Sequence, residues 1–455
     1  MSTMTQSASS TPSRPDQEER QEWLSLASGA VTPRVDLITV HEMVALVVES
    51  APDAVAVRSG SQDVTYHDLY SWSGRVTALL AKAGVGVGDR VAVLLDSSAA
   101  LVAAALGVLR AGAAYVAPDL SQPVADVLED AEVAAVLVSA ATEALAPAGD
   151  VPVLVLADTF AAEGAAGGTD DRVPTWSLTA DDPALLSYMR GSRGEPEGVV
   201  IGHGNLAAST LARHLLFPNE STFLLVSPLS DDSSAAGLWG TLEAGNRLVI
   251  PTAEERADAD RLLDLIAREQ VSRLRSTLAL YDSLLAAAER GGADRLDSLR
   301  MVTVADAPLT ETLVKRHFAA YSRPVSLISE YGPVETTVWA AFHRLNAPGP
   351  VALGRPIPGV RLYVLDEERR PVATGGTGEL FIAGPTVALG YYNNQSATDG
   401  WFFDDPFADE PGGRMYRTGD LVRWNDSGDL EFVGGGDRTG KMYGHRVSRS
   451  DTQLS

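Results

Sequence analysis

The chain has no cysteine. That excludes a disulfide framework, a thiolate nucleophile, and zinc or iron–sulfur centres built on thiolates. Lysine is almost as scarce, with Lys82, Lys315 and Lys441 the only three in 455 residues. Basic residues as a whole are outnumbered, 36 against 60 acidic, giving a formal charge of −24. Such a surface repels phosphate backbones and anionic lipid, so neither nucleic acid nor a membrane is an expected partner. Long hydrophobic runs are missing too. The most apolar helix-like stretch, residues 99–109, is about half a bilayer span and is closed by Arg110 and Gly112. The opening residues 1–22 lack the apolar region of a secretory signal, so a cytoplasmic location is expected.

What is present is an ordinary globular composition, 45% hydrophobic and 21% charged. Residues 1–35, rich in Ser, Thr, Pro and charge, read as a tail or linker. Helical spacing begins at residues 41–50 and recurs over 66–84, where Leu69, Trp72, Val76, Leu79 and Leu80 form a stripe and Gly84 suits a C-terminal cap. A short continuous apolar run follows at 91–95, as expected of a strand buried on both faces, and 113–116, 133–138 and 151–156 read as further strands. Ser97 or Ser98 can cap the helix after the first of them. The alternation resumes with strands at 223–227, 248–250, 301–304 and 325–328. Strand–helix–strand order with Gly and Pro between the elements predicts βαβ units and a parallel sheet. Residues 360–365, 379–383, 421–424 and 430–433 are short strands instead, the last two joined by a hairpin through Asn425–Asp429. The predicted organisation is an α/β body over 36–350, a β-rich lobe over 351–437, and a hinge or tail over 438–455.

Three segments can carry chemistry. In Tyr188–Val199, glycines at 191, 194 and 198 make a tight loop with exposed backbone N–H groups. It can hold an anion or be a plain turn; Glu195 and Glu197 oppose the first reading, and Ser192 is its one hydroxyl. Ser329–Thr337 follows a strand, where open α/β sheets bind ligands. Tyr331 offers a stacking face and Glu335 a hard-cation ligand, the alternative being a turn with a solvated carboxylate. In Met415–Asp420, ahead of the strand at 421–424, Asp420 can accept both hydroxyls of a ribose or simply open the hairpin.

Taken in order, these segments resemble the adenylation domains of nonribosomal peptide synthetases, within the adenylate-forming enzymes. Val64–Leu69 looks like the family's first motif and Arg110–Asp119 its second. The glycine loop, Tyr331–Glu335, Gly378–Leu380 with Gly390-Tyr391, and Tyr416–Asp420 complete the series over roughly residues 40–447. The resemblance implies a fold of two α/β lobes and a smaller β-rich lobe. It implies a reaction in which a carboxylic acid, usually an amino acid, attacks the α-phosphate of ATP with Mg²⁺, releasing pyrophosphate. The acyl group then passes to a carrier-protein thiol.

By the same resemblance Gly191, Ser192, Gly194, Gly198, Ala305, Asp306, Gly332 and Asp420 would surround the nucleotide, with Tyr331 on adenine and Glu335 on Mg²⁺. Asp232 would pair with the substrate ammonium. Ser233, Ala236, Arg275, Thr303, Glu330, Val338 and Trp339 would line the side-chain pocket. Arg275 and Glu330 would either read a polar side chain or neutralise each other. Asp437 would be the hinge.

The departures fall on phosphate chemistry. Met189, Arg190 and Arg193 stand where the family has hydroxyls, and Glu197 where it has lysine. A like charge about 4 Å from a phosphate costs about 4 kcal/mol at an effective dielectric near 20. Ala305-Asp306-Ala307 replaces a Gly-Gly-Glu segment, and Gly435 replaces a ribose-contacting arginine. The residues after Asp437 are too few for the family's small C-terminal domain, whose lysine contacts the reacting carboxylate. That domain is expected to be absent or supplied by a separate chain. The expectation is an amino-acid-adenylating protein of peptide biosynthesis with weak or lost activity. The rivals are a non-catalytic module that binds a synthetase, a carrier protein or a small ligand, and an acyl-CoA or aryl-acid ligase.

Overall fold

The computed structural model describes residues 25–30, 38–156, 177–190, 195–218, 221–305, 307–408, 412–435, 441–442 and 445–446. The helix Tyr66–Lys82 starts where the Thr65 hydroxyl accepts the Asp68 N–H, and it buries Leu69, Trp72, Val76 and Leu80. Leu79, expected on that stripe, is about a third exposed; it sits about 100° around the helix from Leu80, outside the apolar arc. Gly84 follows with φ +84°, a conformation glycine adopts without cost. Of the two candidate caps for the helix Ala99–Arg110, Ser98 is the one that accepts the Leu101 N–H, at 3.2 Å.

Among the described residues three main sheets form. One has seven strands in the order Gly390–Tyr391, Pro196–Gly202, Pro183–Arg190, Ala114–Val116, Arg90–Leu94, Ala135–Val138, Val153–Val155. Its last five strands are parallel. The second has nine: Arg355–Pro356, Ala341–Leu345, Ser326–Tyr331, Met301–Ala305, Arg273–Thr277, Thr222–Leu225, Arg247–Ile250, Val55–Ser59, Gln62–Thr65. Its core is parallel and its edges antiparallel. The third is antiparallel, built on Arg361–Leu365, Gly378–Ala383, Arg414–Trp424, Phe402–Asp404 and Leu430–Gly435.

The lobes interlock in a way chain order does not suggest. Val55–Ser59 joins the nine-stranded sheet beside Arg247–Ile250, with Val57 opposite Leu248. The Tyr66 hydroxyl donates to the Leu242 and Asn246 carbonyls, and the Trp239 indole N–H donates to the Tyr115 hydroxyl at 3.2 Å. Residues 25–30, read from sequence as part of a tail, lie on the third sheet instead. Ala27 is buried there and the Gly29 N–H donates to the Val360 carbonyl. Two strands run further than expected. Ser326–Tyr331 carries Glu330 and Tyr331 within it, and Arg414–Trp424 contains the whole Met415–Asp420 segment rather than following it.

Candidate active site

The nine-stranded sheet and the third sheet bring Tyr331 and Asp420 together. Tyr331 ends its strand with 2% exposure, and its hydroxyl donates to Asp420 Oδ2 at 2.5 Å. Asp420 is fully buried, and its N–H donates to the Thr418 hydroxyl. A buried carboxylate needs such donors, since isolating it would cost several kcal/mol.

Glu335 follows on a turn of 3₁₀ helix, Val334–Thr336, and is not the solvated carboxylate a plain turn would give: it has no exposure at all. The Tyr391 hydroxyl donates to Glu335 Oε1 at 2.6 Å. Burial first, and then the Glu335 carboxylate, push the Tyr391 and Tyr416 hydroxyls well above the ordinary tyrosine value. The charge of Glu197, on Pro196–Gly202, also bears on Tyr391. No group of three or more His, Cys, Asp or Glu able to hold a metal occurs among the described residues. This donor set does not fit a resident metal cage. One carboxylate does fit a magnesium ion that arrives on a triphosphate, which keeps most of its waters and takes one or two protein carboxylates.

Beyond Glu335 the backbone is strained. Thr337 and Val338 have φ +55° and +82°, a region costly for a β-branched residue. Neighbours hold it there: Ser209 donates to the Thr337 carbonyl, Thr337 to the Thr386 carbonyl, and the Trp339 indole to Ser209. Gly332 is required because a Cβ there would lie 2.4 Å from Trp339 Cα.

The expected side-chain pocket is a second cluster. Arg275 and Glu330 do neutralise each other, with Arg275 Nε 3.0 Å from Glu330 Oε2. Sequence reasoning missed the third member, Arg213, on the helix His203–Leu216; its Nη1 lies 2.8 Å from Glu330 Oε1. Its guanidinium stacks 4.1 Å from the centre of the buried Trp339 ring. Burial alone would raise the Glu330 pKa, but the two guanidiniums hold it below the ordinary carboxylate value. The one signal for Arg213 was a charge beside Ala212 and Phe217, both of which are buried.

Thr303 and Ala305, on Met301–Ala305, and Ala236, on Asp232–Leu242, are buried near that cluster's elements. Asp232 and Ser233 open the helix Asp232–Leu242. Gly198 pairs with Tyr188, whose ring would sit 3.0 Å from any Cβ at that position. Gly191, Ser192, Gly194, Asp306 and Asp437 lie outside the described residues.

Parallel sheets with paired clusters at strand ends define a ligand-binding α/β core. The chain belongs to the AMP-binding enzyme family, whose model matches residues 45–392. It is 36% identical over 420 residues to the nonribosomal peptide synthetase CymA of Salinispora arenicola, covering 92% of this chain and 5% of that protein. The crystal structure of the nonribosomal peptide synthetase FmoA3 in its α-methyl-L-serine-AMP-bound form is similar at a TM-score of 0.83 and 29% identity, over 93% of this chain and 47% of that one. The N-terminal subdomain of Klebsiella oxytoca NpsA shares the fold at a TM-score of 0.77, over 89% of this chain and all of that one. The chain thus spans a small part of its long synthetase relatives. No helix among the described residues is long and apolar enough to cross a membrane.

Proposed function

We propose that this chain is an amino-acid adenylation core of nonribosomal peptide biosynthesis. It binds ATP or AMP and an amino acid, forms aminoacyl-AMP and pyrophosphate, and hands the acyl group to a carrier protein in the cytoplasm. The observation that carries this reading is the pairing of Tyr331 with Asp420, from segments 89 residues apart, beside buried Glu335. In this reading Tyr331 supports adenine, Asp420 accepts from the ribose hydroxyls, and Glu335 ligates magnesium on the triphosphate. Gly191, Ser192, Gly194 and Gly198 approach the phosphates; Ala305, Asp306 and Gly332 flank the base. Asp232 faces the ammonium, and Asp437 acts as the hinge. The bound state of FmoA3, an aminoacyl adenylate, supports the same class of ligand.

Magnesium, when bound, would neutralise charge on the pyrophosphate leaving group. The chain's own contribution is to orient the nucleotide and exclude water through buried walls. Turnover is slow in this reading because Glu197 puts negative charge at the phosphate end. That same residue favours the second reading, a non-catalytic module that binds a nucleotide and serves a synthetase or carrier protein. Amino-acid-dependent ATP–pyrophosphate exchange, run beside calorimetry with AMP, tests both. Exchange with one amino acid establishes the enzyme; AMP binding without exchange supports the module; no AMP binding refutes the site.

A further inference from the structure

We infer that Arg213 and Arg275 make the side-chain end of the pocket an anion site, so that the amino acid taken here carries a second carboxylate. The inference rests on the adenylation reading and adds to it a substrate class and a specificity residue, Arg213, that lies outside the expected pocket positions.

The first observation is charge. Two guanidiniums face one carboxylate within about 3 Å, and Glu330 is 2% exposed. The cluster therefore carries one uncompensated positive charge against the Trp339 ring, which belongs to the same buried apolar cluster as Ala236, Val338 and Phe217. A buried net charge is costly until an opposite charge joins it. The surrounding field has the same sign. Arg273, on the Arg275 strand, is pushed down to about 10 by burial and then by Arg213 and Arg344. This is a local positive region in a chain of net charge −24.

The second observation is donor geometry. Arg275 uses only Nε on Glu330, and its two Nη groups donate to no acceptor among the described residues. A guanidinium edge with two free N–H groups is the shape a carboxylate takes bidentately. Arg213 uses only Nη1; its Nε and Nη2 are buried without an acceptor among the described residues and lie against the Trp339 ring. Trp339 and Glu330 thus fix Arg213, and Arg213 in turn fixes Glu330 so that Arg275 can present its free edge.

The third observation is position. Arg275 pairs with Thr303, and Thr303 with Ile328, two residues before Glu330, so the cluster crosses three adjacent strands. Asp232 opens the helix whose Ala236 packs in the same apolar cluster as Trp339. An acid for the ammonium and a cationic cluster for a distal carboxylate are complementary to one molecule, an acidic amino acid.

The test titrates the purified chain by calorimetry with AMP and with non-hydrolysable aminoacyl-sulfamoyl adenosines of aspartate, glutamate, asparagine, glutamine, alanine and leucine. One acidic analogue should bind about 30-fold more tightly than its amide, which corresponds to about 2 kcal/mol. Arg213→Gln takes away the guanidinium that fixes Glu330 under Trp339 and can unfold the lobe. Arg275→Gln leaves the Arg213–Glu330 ion pair in place and removes the surplus charge, so it carries the test, and its acid-to-amide ratio should fall close to one. Glu330→Gln alone removes the competing carboxylate and should widen the ratio. An alanine or leucine analogue that binds as tightly as the acidic ones overturns the inference, because the cluster then merely closes the pocket. So does an acidic preference that survives Arg275→Gln. AMP binding with no analogue preference overturns this inference and leaves the nucleotide site standing; failure to bind AMP overturns both.

Discussion

Acidification should unfold this protein through its buried histidines. His41, His203 and His317 are each pushed down to about 4 from 6.5, in every case chiefly by burial. For His41 the neighbouring His203 adds to the effect, their rings meeting edge to face at 5.8 Å. His317 is held neutral, with Nε2 donating to the Val325 carbonyl and Nδ1 accepting from the Tyr281 hydroxyl at 2.5 Å. The folded value lies below the unfolded one, so the unfolded chain binds more protons between them. The stability these groups contribute is complete above about pH 6.5 and is lost as pH falls toward 4. Linkage gives about 2 kcal/mol per histidine between about pH 7.5 and 5, or about 6 for three independent groups and less for the coupled pair. Relief of self-repulsion in a chain of charge −24 acts the other way. Most carboxylates titrate below pH 5, however, so the histidines dominate this window.

His203 isolates the effect. It is fully buried, and neither ring nitrogen has a hydrogen-bond partner among the described residues. His203→Phe keeps an aromatic ring against His41 and removes the titrating group. Urea unfolding followed by tryptophan fluorescence should show the variant within about 1 kcal/mol of wild type at about pH 7.5. At about pH 5 the variant should be about 2 kcal/mol more stable than wild type. A wild-type midpoint that does not move between the two pH values refutes the argument, as does a variant that loses as much stability as wild type.

Tyr331→Phe removes the donor to a fully buried carboxylate; it should cost about 1–3 kcal/mol in thermal unfolding and weaken AMP in calorimetry. Glu197→Lys reverses the charge felt by Tyr391 and should raise ATP affinity about tenfold, with the gain shrinking as salt is added. Gly354→Ala should fail to give soluble folded protein, since φ is +88° and a Cβ would lie 2.1 Å from the Phe342 carbonyl oxygen; near-wild-type near-ultraviolet dichroism would contradict that. Trp239→Phe loses the indole bond to Tyr115 across the two α/β lobes, and its denaturation midpoint should fall by about 1–2 kcal/mol equivalent.

Much of the fold was legible because burial on both faces writes a continuous apolar run into a strand. Residues 91–95 and 133–138 predicted strands that form as Arg90–Leu94 and Ala135–Val138. Pairing was not legible. Val55–Ser59 finds its partner at Arg247–Ile250, and no local pattern encodes an alignment across such a separation. At the site, the segments bearing Tyr331, Glu335 and Asp420 stood out by their residue types, and Arg275 and Glu330 were seen as either readers or partners. Arg213 left only its apolar neighbours as a trace: an arginine on a helix looks solvated until the fold buries it, and Trp339 and Glu330 reveal why it is there.

The sequence by itself determined the α/β class, the order of the motifs and the excess of acid, since periodicity, residue type and charge are local or additive properties. Tertiary structure alone decided which charges meet. It set Tyr331 on Asp420 and closed Tyr391 over Glu335. It also gathered Arg213, Arg275 and Glu330 from three separate elements into one buried cluster. The physical reason is that an ion pair between distant segments leaves no mark on either segment; its energy exists only once the chain has removed both charges from water.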